Sequence, residues 1–503
     1  MTGGGTSRGW GGEVRAWLGM LDGLLTAVEE TAWSARELAD GAREVWTRGE
    51  DEVASTRDDA AGLSAQVSRL TQTGWMLARM AAGYRLHGLR AAFVSERRAD
   101  EMLSELHATS ARRFYEVSAV HGGAFMKVGQ LLSARADLLP AIWIAELSQL
   151  QDAAPTLAMN AVRGVVESDF GKPLEELFAS FDETPIGAAS IGQVHRAVLH
   201  DGTTVAVKVQ RPGIAGRVRM DLELLEAFVS SLRESLPDAD YDTILGEVEG
   251  KVLAEVDYAA EARTTTTLSE FFASHASILV PRPVLELCSA RVLTTAFVPG
   301  TKLTTVLDAL DARAAGGDRE AHRELSTVLG NLLEAYLRQV LHAGVFQADP
   351  HPGNLFVTPD GKVAVLDMGC AQELSPETRA RYLGLLRAFM LGDDEDMTRL
   401  FAELGFRTRS GRIDTLRTFA DALLTEIRQA ALSGKVAWPT RDEMAARAGA
   451  LLRACEDDPV LTLPGEFVMM ARVFGTLGGL FSRYRPEIDF SRHVLPCLGG
   501  ALF

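Results

Sequence analysis

The feature that most constrains the fold is the stretch 344–369, GVFQADPHPGNLFVTPDGKVAVLDMG. Two short apolar runs, at 355–357 and 363–366, flank the turn-forming sequence Pro-Asp-Gly at 359–361. Apolar runs on both sides of such a turn predict a β-hairpin. Because both strands of a hairpin end at the same edge, the residues just outside the two runs are expected to lie side by side.

Three side chains suited to phosphoryl transfer flank this hairpin. Asp349 and Asn354 have the Asp-x-x-x-x-Asn spacing of a kinase catalytic loop, and Asp367 begins an Asp-Met-Gly in place of the magnesium-binding Asp-Phe-Gly. Phosphoryl transfer needs a carboxylate beside the acceptor and oxygen ligands that hold Mg²⁺ on the phosphates. We therefore predict that Asn354 and Asp367 bind Mg²⁺ and that Asp349 is catalytic. The alternative is a surface turn with incidental acidic residues.

A second hairpin is predicted over 185–210, around the turn residues Asp201 and Gly202. Lys208 ends a Val-Ala-Val-Lys strand, which matches the kinase strand whose lysine holds the α- and β-phosphates. A loop of small residues precedes the first strand, and small residues let backbone N–H groups approach phosphates. The predicted nucleotide-binding residues of this loop are Gly187, Ala188, Ala189 and Ser190.

A lysine in this role needs an acidic partner on a nearby helix. A helix predicted over 246–268 carries Glu255, Asp257 and Glu261, and we expect the last two to face the same way because they are four residues apart. The alternative is an ordinary acidic helix face.

Two further strands are predicted, over 280–286 and 291–298. The second is expected to be the hinge that lines an adenine pocket, with contacts at Ala296 and Val298.

Composition narrows the classes of function. The 503-residue chain has a formal net charge of −17, which argues against a nucleic-acid partner because little positive charge can face the phosphates. The four cysteines are far apart and form no C-x-x-C pair, so we expect a reducing cytoplasm. The most apolar run, 467–484, contains Arg472, Arg483 and several glycines, so no transmembrane helix is predicted.

Helical periodicity marks most of the remaining chain. A Gly-rich tail over 1–12 is expected to be disordered, and helices are predicted from Val14 and over 61–92. We expect this N-terminal region to pack on its own domain, and binding of a partner helix or a membrane surface is the alternative. Further helices are predicted over 319–343 and through the chain after Gln372.

A helix beginning at Ala124 and ending near Pro140 contains Lys127 and Gln130. The two residues share a helix face because they are three positions apart. From its spacing alone, we expect Lys127 to be an ordinary solvated lysine on the helix surface.

With these motifs placed, the chain resembles the UbiB/AarF/ADCK family of atypical protein-kinase-like proteins, most clearly over 117–389. The resemblance is carried by K-x-G-Q at 127–130, the alanine-rich loop at 187–190, E-x-D at 255–257 and D-P-H-P-G-N at 349–354. It implies an α+β, atypical two-lobed kinase-like fold with a small N-lobe sheet and a mainly helical C-lobe. The implied divisions are a tail (1–12), a helical N-terminal extension (13–110), a K-x-G-Q segment (111–180), an N-lobe (181–300) and a C-lobe (301–503).

The resemblance also implies roles for single residues. Lys208 would pair with Glu261 and hold the phosphates of ATP or ADP. Lys127 and Gln130 would lie across the active site, facing Glu255 and Asp257, where their helix would exclude a peptide substrate. This implied arrangement changes the interpretation of Lys127 from a surface lysine to a gate at the nucleotide.

The chain departs from the family pattern in three places, none of which removes a metal ligand. Gly187 stands where alanine is usual, and we expect it to add backbone freedom. Thr295-Ala296-Phe297 replaces Met-Glu-Phe in the hinge, which predicts a less bulky adenine pocket. Gln347 replaces a frequent histidine before the catalytic loop.

We therefore expect an ATP-binding, Mg²⁺-dependent atypical kinase or ATPase, which the resemblance links to isoprenoid-quinone (ubiquinone-type) or lipid metabolism. A nucleotide-gated lipid-binding scaffold with little turnover is the alternative. The expected partners are a nucleotide and an isoprenoid lipid or quinone precursor, with no nucleic acid. The expected location is the cytoplasm, with a peripheral contact at the inner face of the membrane.

Overall fold

The computed structural model describes residues 60–91, 93–121, 125–126, 128–129, 140–150, 156–188, 190–232, 241–411, 414–418, 434–436 and 460–498, with isolated positions between 443 and 458. The predicted tail and the helix from Val14 lie outside the described residues. So do three predicted site residues, Lys127, Gln130 and Ala189, and most of residues 412–459 in the part of the chain predicted to be helical after Gln372.

Helices make up most of the described chain. In order they are α1 Ala60–Ala91, α2 Glu96–His121, α3 Ala141–Leu147, α4 Met159–Phe170, α5 Leu174–Leu177, α6 Ile214–Leu232, α7 Tyr241–Ala254, α8 Tyr258–Phe271, α9 Leu303–Ala315, α10 Arg319–Arg338, α11 Pro376–Leu391, α12 Asp394–Leu404, α13 Gly465–Tyr484, α14 Phe490–His493 and α15 Leu495–Leu498. A π-helical turn, Gln339–Ala343, extends α10. No helix in the described part of the chain is long and apolar enough to cross a membrane.

The strands are short and belong to small sheets. They are β1 Ser180–Phe181, β2 Gly187–Ala188, β3 Gly192–Val198, β4 Thr204–Gln210, β5 Ile278–Leu279, β6 Val292–Ala296, β7 Thr301–Lys302, β8 Val345–Gln347, β9 Leu355–Val357, β10 Val363–Val365, β11 Ala371–Glu373, β12 Arg407–Thr408, β13 Lys435–Val436, β14 Val460–Thr462 and β15 Ile488–Asp489. This mixture of helices and small sheets confirms the predicted α+β class.

Two of these sheets organise the predicted motifs. One has the order β1-β3-β4-β6, with β2 paired to β3, and the other has the order β5-β10-β9-β7. Both predicted hairpins are present, as β3–β4 and as the antiparallel pair β9–β10. Their turns use Gly202 and Gly361 with φ of 87° and 82°, a left-handed conformation that glycine adopts without steric cost.

The chain divides into two compact units. The first comprises Met1–Val162, Pro185–Gln193 and Gln210–Val256, and the second comprises Arg163–Thr184, Val194–Val209 and Asp257–Phe503. Both units draw on separate segments of sequence. The five divisions predicted along the chain stay a prediction.

The first unit has a helical core. Its centre is Phe114 of α2, whose ring meets Phe125 and Trp143 edge-on at centroid distances of 5.8 and 6.0 Å. Helices α1, α3, α6 and α7 contribute further buried apolar side chains, including Leu77, Leu147, Val218 and Val252.

The core of the second unit surrounds α10, whose buried face runs from Ala321 to Leu337. The hairpin β9–β10, strand β8 and helix α13 pack apolar side chains against it, including Leu355, Val365, Phe346 and Leu477. The predicted catalytic stretch therefore rests on the most buried part of this unit.

One predicted helix is interrupted in the structure. Instead of a continuous helix over 246–268, α7 ends at Ala254 and α8 begins at Tyr258. Asp257 is the N-cap of α8, and its side chain accepts a hydrogen bond from the Ala260 amide at 3.0 Å. Aspartate favours this position because its carboxylate satisfies an amide that has no partner within the helix. The prediction that Asp257 and Glu261 share a helix face was wrong.

The strand predicted over 280–286 was also wrong. This segment contains only an isolated bridge at Pro283 and a 3₁₀ turn, Leu285–Leu287, while β5 lies just before it. Pro281 and Pro283 lack the amide hydrogen that a strand ladder requires. After Gln372 the predicted helices α11, α12 and α13 are present, but the prediction of helix alone missed short strands such as β12 and β14.

Gly129 lies where α2 and α3 leave no room for a larger side chain. A Cβ atom built on Gly129 would lie 2.4 Å from Leu150 Cδ1 and 3.4 Å from Phe114 Cε1. The neighbours that leave no room are side chains, those of Leu150, Phe114 and Leu147. The glycine thus lets its helical segment pack directly on the core of the first unit.

We predict that Gly129→Ala destabilises the protein. Overpacking a core costs about 1–3 kcal/mol, which exceeds the gain of up to about 1 kcal/mol from replacing a helical glycine by alanine. Urea unfolding followed by circular dichroism measures the change. Adding Leu150→Ala removes the clashing methyl group, so the double variant should lose less stability than the two single losses combined.

Gly88, on α1 of the same unit, supplies the matched control. A Cβ atom there would meet nothing within 4 Å. Gly88→Ala should therefore be neutral or slightly stabilising. Equal effects of the alanine substitutions at Gly129 and Gly88 would contradict the packing argument.

Candidate functional site

Strand β4 places Lys208 on one face of its sheet. The antiparallel register pairs Lys208 with Leu293 and Ala206 with Thr295 on β6. Because side chains alternate along a strand, these four residues share a face. Lys208 also lies over the ring of buried Tyr258, with Nζ 4.9 Å from the ring centroid.

The Lys208 ammonium group contacts two carboxylates. Its Nζ donates to Glu261 Oε1 and Oε2 at 3.0 and 2.9 Å and to Asp367 Oδ2 at 3.0 Å. The Glu261 side chain is 2% exposed and that of Asp367 is 36% exposed. With all three groups ionised, two carboxylates share one ammonium, so the cluster carries one net negative charge on its solvent-accessible side.

This shared arrangement shifts the pKa values of the buried partners. Burial disfavours the ammonium form of Lys208, but the charges of Asp367 and Glu261 outweigh burial and hold its pKa well above the usual value. Burial raises the pKa of Glu261 to about 7, and the negative charge of Asp367 acts in the same direction against the attraction of Lys208.

Helix α8 fixes the position of Glu261. Asp257 caps the helix, and Glu261 lies in its first turn, where a carboxylate interacts favourably with the helix dipole. Glu261 Oε1 also accepts a hydrogen bond from the Met368 amide at 3.3 Å. The glutamate therefore contacts Lys208 and the backbone next to Asp367 at the same time.

The β9–β10 hairpin brings Asn354 and Asp367 to one edge. The register pairs Leu355 with Val365, and the Leu366 amide donates to the Asn354 carbonyl at 3.0 Å. Asp367 Oδ1 accepts from the Gly369 amide at 2.9 Å, which orients the carboxylate. The sequence predicted this juxtaposition, and the roles of the two residues stay a prediction.

The donor set at this edge fits a hard divalent cation. Asp367 offers a partly exposed carboxylate and Asn354 an amide oxygen, and Mg²⁺ prefers oxygen ligands completed by phosphate and water. The excess negative charge beside Lys208 favours the same conclusion. In the structure the ammonium of Lys208 provides the positive charge at Asp367.

Gln347 supports the predicted catalytic loop. It is 1% exposed, its Oε1 accepts from the Tyr336 hydroxyl at 2.5 Å, and its Nε2 donates to the Asp349 carbonyl. Burial raises the pKa of Tyr336 well above its usual value, and the negative charge of Asp349 adds to the effect. The amide side chain of Gln347 can both donate and accept, which explains how it serves where histidine was expected.

Asp349 also has a partner that the sequence analysis missed. Arg472 Nη2 on α13 lies 3.2 Å from Asp349 Oδ1. In the sequence, Arg472 is only a charge that interrupts an apolar run. A charged residue among apolar neighbours on one helix was the available signal, but sequence alone could not name its partner.

The predicted phosphate loop belongs to the first unit. Gly187 and Ala188 form strand β2, and the buried Ser190 hydroxyl has no hydrogen-bond partner among the described residues. The φ of Gly187 is not in the left-handed region, and a Cβ atom there would meet nothing within 4 Å. Gly187 therefore has no left-handed backbone and no close neighbour here, and the added backbone freedom stays a prediction.

The predicted hinge has one amide available for a ligand. The Ala296 amide already donates to the Arg282 carbonyl at 2.8 Å. Within the described ranges the Val298 amide donates to no other group. The adenine contacts at Ala296 and Val298 stay a prediction.

The chain is similar in sequence to known proteins that are named or described as kinases or kinase-like. A family model described as the ABC1 atypical kinase-like domain matches residues 149–401. The chain is 34% identical over 381 residues to Protein ACTIVITY OF BC1 COMPLEX KINASE 7, chloroplastic, of Arabidopsis thaliana, covering 75% of this chain and 52% of that protein. It is 34% identical over 307 residues to AarF domain-containing protein kinase 1 of Mus musculus, covering 60% of this chain and 57% of that protein.

The chain thus spans little more than half the length of these two relatives. A solved structure, the complex of Rv3197 with erythromycin from Mycobacterium tuberculosis, matches 78% of this chain and 98% of that chain. Its TM-score is 0.54 at 23% identity, so this likeness concerns the fold alone. The kinase-like fold expected from the motifs is confirmed.

The shared cluster predicts a pH dependence of stability. The folded-state pKa of Glu261, about 7, lies above its ordinary value of 4.5, so the folded protein binds more protons than the unfolded chain between these values. This contribution to stability is fully present below about pH 4.5 and is lost as pH rises through about 7. Asp367→Asn removes a neighbouring negative charge, so the pKa of Glu261 should fall and the loss of stability with pH should shrink.

Urea unfolding at pH 5 to 8 measures this difference between the wild type and Asp367→Asn. Asp360→Asn is the control, because Asp360 lies at the exposed hairpin turn and pairs with Lys362 at 3.4 Å. The control should keep the wild-type dependence on pH. An Asp367→Asn variant with that same dependence would show that the two carboxylates do not interact.

Proposed function

The chain belongs to the family of ABC1 atypical kinase-like domains, and from this premise we propose that it binds ATP with Mg²⁺ and transfers or hydrolyses the terminal phosphoryl group. The family and the kinase names of its relatives support a kinase-type enzyme. The activity of this chain and its acceptor are our proposal.

One observation carries the proposal: Lys208 lies between Glu261 and Asp367. The lysine is within 3.0 Å of both carboxylates, on the strand face that also carries Thr295 of the hinge. A lysine that holds phosphates must itself be held, and Glu261 does so from a buried position. Nucleotide phosphates would then take the place of Asp367 as the second anionic partner of Lys208.

The proposed reaction uses Asp349 on the acceptor. The acceptor oxygen forms a bond to the terminal phosphorus while the bond from that phosphorus to the ADP oxygen breaks. The bonding electron pair leaves with ADP, and the proton of the acceptor hydroxyl or water passes to the Asp349 carboxylate. Gln347 and Tyr336 hold the backbone of Asp349 in place for this step.

Asn354 and Asp367 would hold the magnesium ion. When bound, the ion supplies positive charge that neutralises the phosphate oxygens and orients the terminal group. Asp367 is positioned for this by the Gly369 amide, and Asn354 by its place at the end of β9.

The acceptor is proposed to be a small molecule or water rather than a protein. Strand β11 starts at Ala371 and α11 at Pro376, which leaves no long activation segment after Asp367 to support a peptide. The resemblance suggests isoprenoid-quinone or lipid metabolism and a peripheral membrane contact in the cytoplasm. Mass spectrometry of lipids and quinone precursors that copurify with the protein tests this link.

We predict that Mg²⁺ increases the stabilisation by ATP in the wild type and does not do so in Asp367→Asn. A ligand at a hundredfold excess over its Kd adds about 2.7 kcal/mol to the free energy of unfolding. This gain should appear as a rise of several degrees in Tm when ATP and Mg²⁺ are present together. Losing the Asp367 carboxylate removes a charged metal ligand, so the Mg²⁺-dependent part of the rise should vanish.

Asp360→Asn again serves as the control and should keep the full response. A wild-type Mg-ATP response in Asp367→Asn would refute the metal assignment. A response without any hydrolysis of ATP would favour the alternative function, a nucleotide-gated scaffold.

The gate implied by the K-x-G-Q motif stays a proposal, because Lys127 and Gln130 lie outside the described residues. If Lys127 faces Glu255 and Asp257, Lys127→Ala should change nucleotide affinity by roughly tenfold to several-hundredfold. It should also permit autophosphorylation by admitting a peptide to Asp349. Calorimetric titration with ATP and with ADP, alongside autophosphorylation with labelled ATP, tests both effects. Unchanged values for both would make Lys127 a surface lysine.

A further inference from the structure

Helix α13 brings a guanidinium group to the predicted catalytic carboxylate. Arg472 Nη2 lies 3.2 Å from Asp349 Oδ1, and the two side chains are 19% and 36% exposed. Arg472 has no other ion pair among the described residues. The pair thus joins a distant part of the sequence to the acceptor side of the site.

The helix that carries Arg472 is firmly seated in the second unit. Met469, Met470 and Val473, which surround Arg472 along the helix, are buried in the main core. The helix also packs against β11, the strand paired with β8 immediately before the catalytic loop. Arg472 is therefore presented by a rigid element.

The far end of the same helix is tied to α9. The Tyr484 hydroxyl donates to Asp308 Oδ1 at 2.6 Å. The helix is thus held along its buried face and at its C-terminal end, so a shift of Arg472 relative to Asp349 would disturb the core. Such preorganisation is what a site requires when the orientation of a carboxylate matters.

Asp349 is restrained through both its backbone and its side chain. Its carbonyl accepts from Gln347 Nε2 and from the His351 amide, the latter at 2.7 Å. Its Oδ1 atom faces Arg472. Among the described residues Arg472 is the ion-pair partner of this carboxylate, which at 36% exposure is still open to solvent.

We propose that Arg472 is a positioning residue for Asp349. The guanidinium holds the carboxylate in one orientation, in which its solvent-exposed side receives the proton of the acceptor. This inference rests on the proposed phosphoryl-transfer function and adds a residue from outside the recognised motifs. Arg472 acts on the orientation of Asp349 and leaves nucleotide binding to Lys208, Glu261 and Asp367.

The test is steady-state hydrolysis of Mg-ATP, with water as the acceptor. Arg472→Met should lower kcat about ten- to a hundredfold, the range expected when a catalytic group is misplaced by about 1 Å. The KM for Mg-ATP should stay within about twofold. Arg472→Lys keeps the charge but lacks the planar fork of donors, so its kcat should lie between those of the wild type and Arg472→Met.

Arg483→Met supplies the matched control, because it removes an arginine from the same helix but from a surface pair with Asp308. It should leave kcat unchanged. Circular dichroism and the Mg-ATP rise in Tm establish that each variant is folded and binds nucleotide.

A double variant separates positioning from a general structural effect. If Arg472 acts through Asp349, Arg472→Met combined with Asp349→Asn should be no slower than Asp349→Asn alone. The inference would be overturned if the losses in kcat of the two single variants multiplied in the double variant. It would also be overturned if Arg472→Met changed KM alone, or if Arg472→Met and Arg483→Met behaved alike. A wild type with no hydrolysis above that of Asp349→Asn would instead refute the proposed function itself, and this role with it.

Discussion

The candidate site depends on one partly buried charge, the ammonium of Lys208. A cation in this position is tolerable only because Glu261 and Asp367 both accept from it within 3.0 Å. The arrangement leaves one carboxylate in excess, and that excess is on the more exposed side, at Asp367. The structure thus holds Lys208 in place and keeps a partly exposed carboxylate beside it, at Asp367.

A second acid, Asp349, is likewise held by a basic side chain, in this case Arg472. Asp349 is a partly exposed acid that pairs with Arg472, as Asp367 pairs with Lys208. Each acid is oriented by a backbone or amide contact close in sequence and neutralised by a basic side chain from far away. The hairpin β9–β10 separates the two acids in the sequence and brings the second one back beside Asn354.

Local chemistry explains which features could be predicted from the sequence. The β9–β10 hairpin was predicted because its signal, two apolar runs around Pro-Asp-Gly, is contained within the hairpin itself. The break before α8 was missed because Asp257 fits either a helix face or an N-cap, and only the turn at Glu255 and Val256 distinguishes them. The strand predicted over 280–286 fails because the prolines at 281 and 283 lack the amide hydrogen that a strand ladder requires.

The contact between Arg472 and Asp349 was unpredictable for a different reason. It depends on how α13 packs in the core, and no pattern within α13 encodes its partner. The chain contains many arginines, and the sequence gives each of them several acidic candidates. Tertiary packing alone selects the pair, so the contact became visible only in the structure.

The most direct test of the account is a crystal structure of the chain with Mg²⁺ and a non-hydrolysable ATP analogue. The account predicts that Lys208 keeps its ion pair with Glu261, leaves Asp367 and contacts the phosphates. It also predicts that Asp367 and Asn354 bind the metal. A structure in which Lys208 remains on Asp367 while the nucleotide or metal binds elsewhere would contradict it.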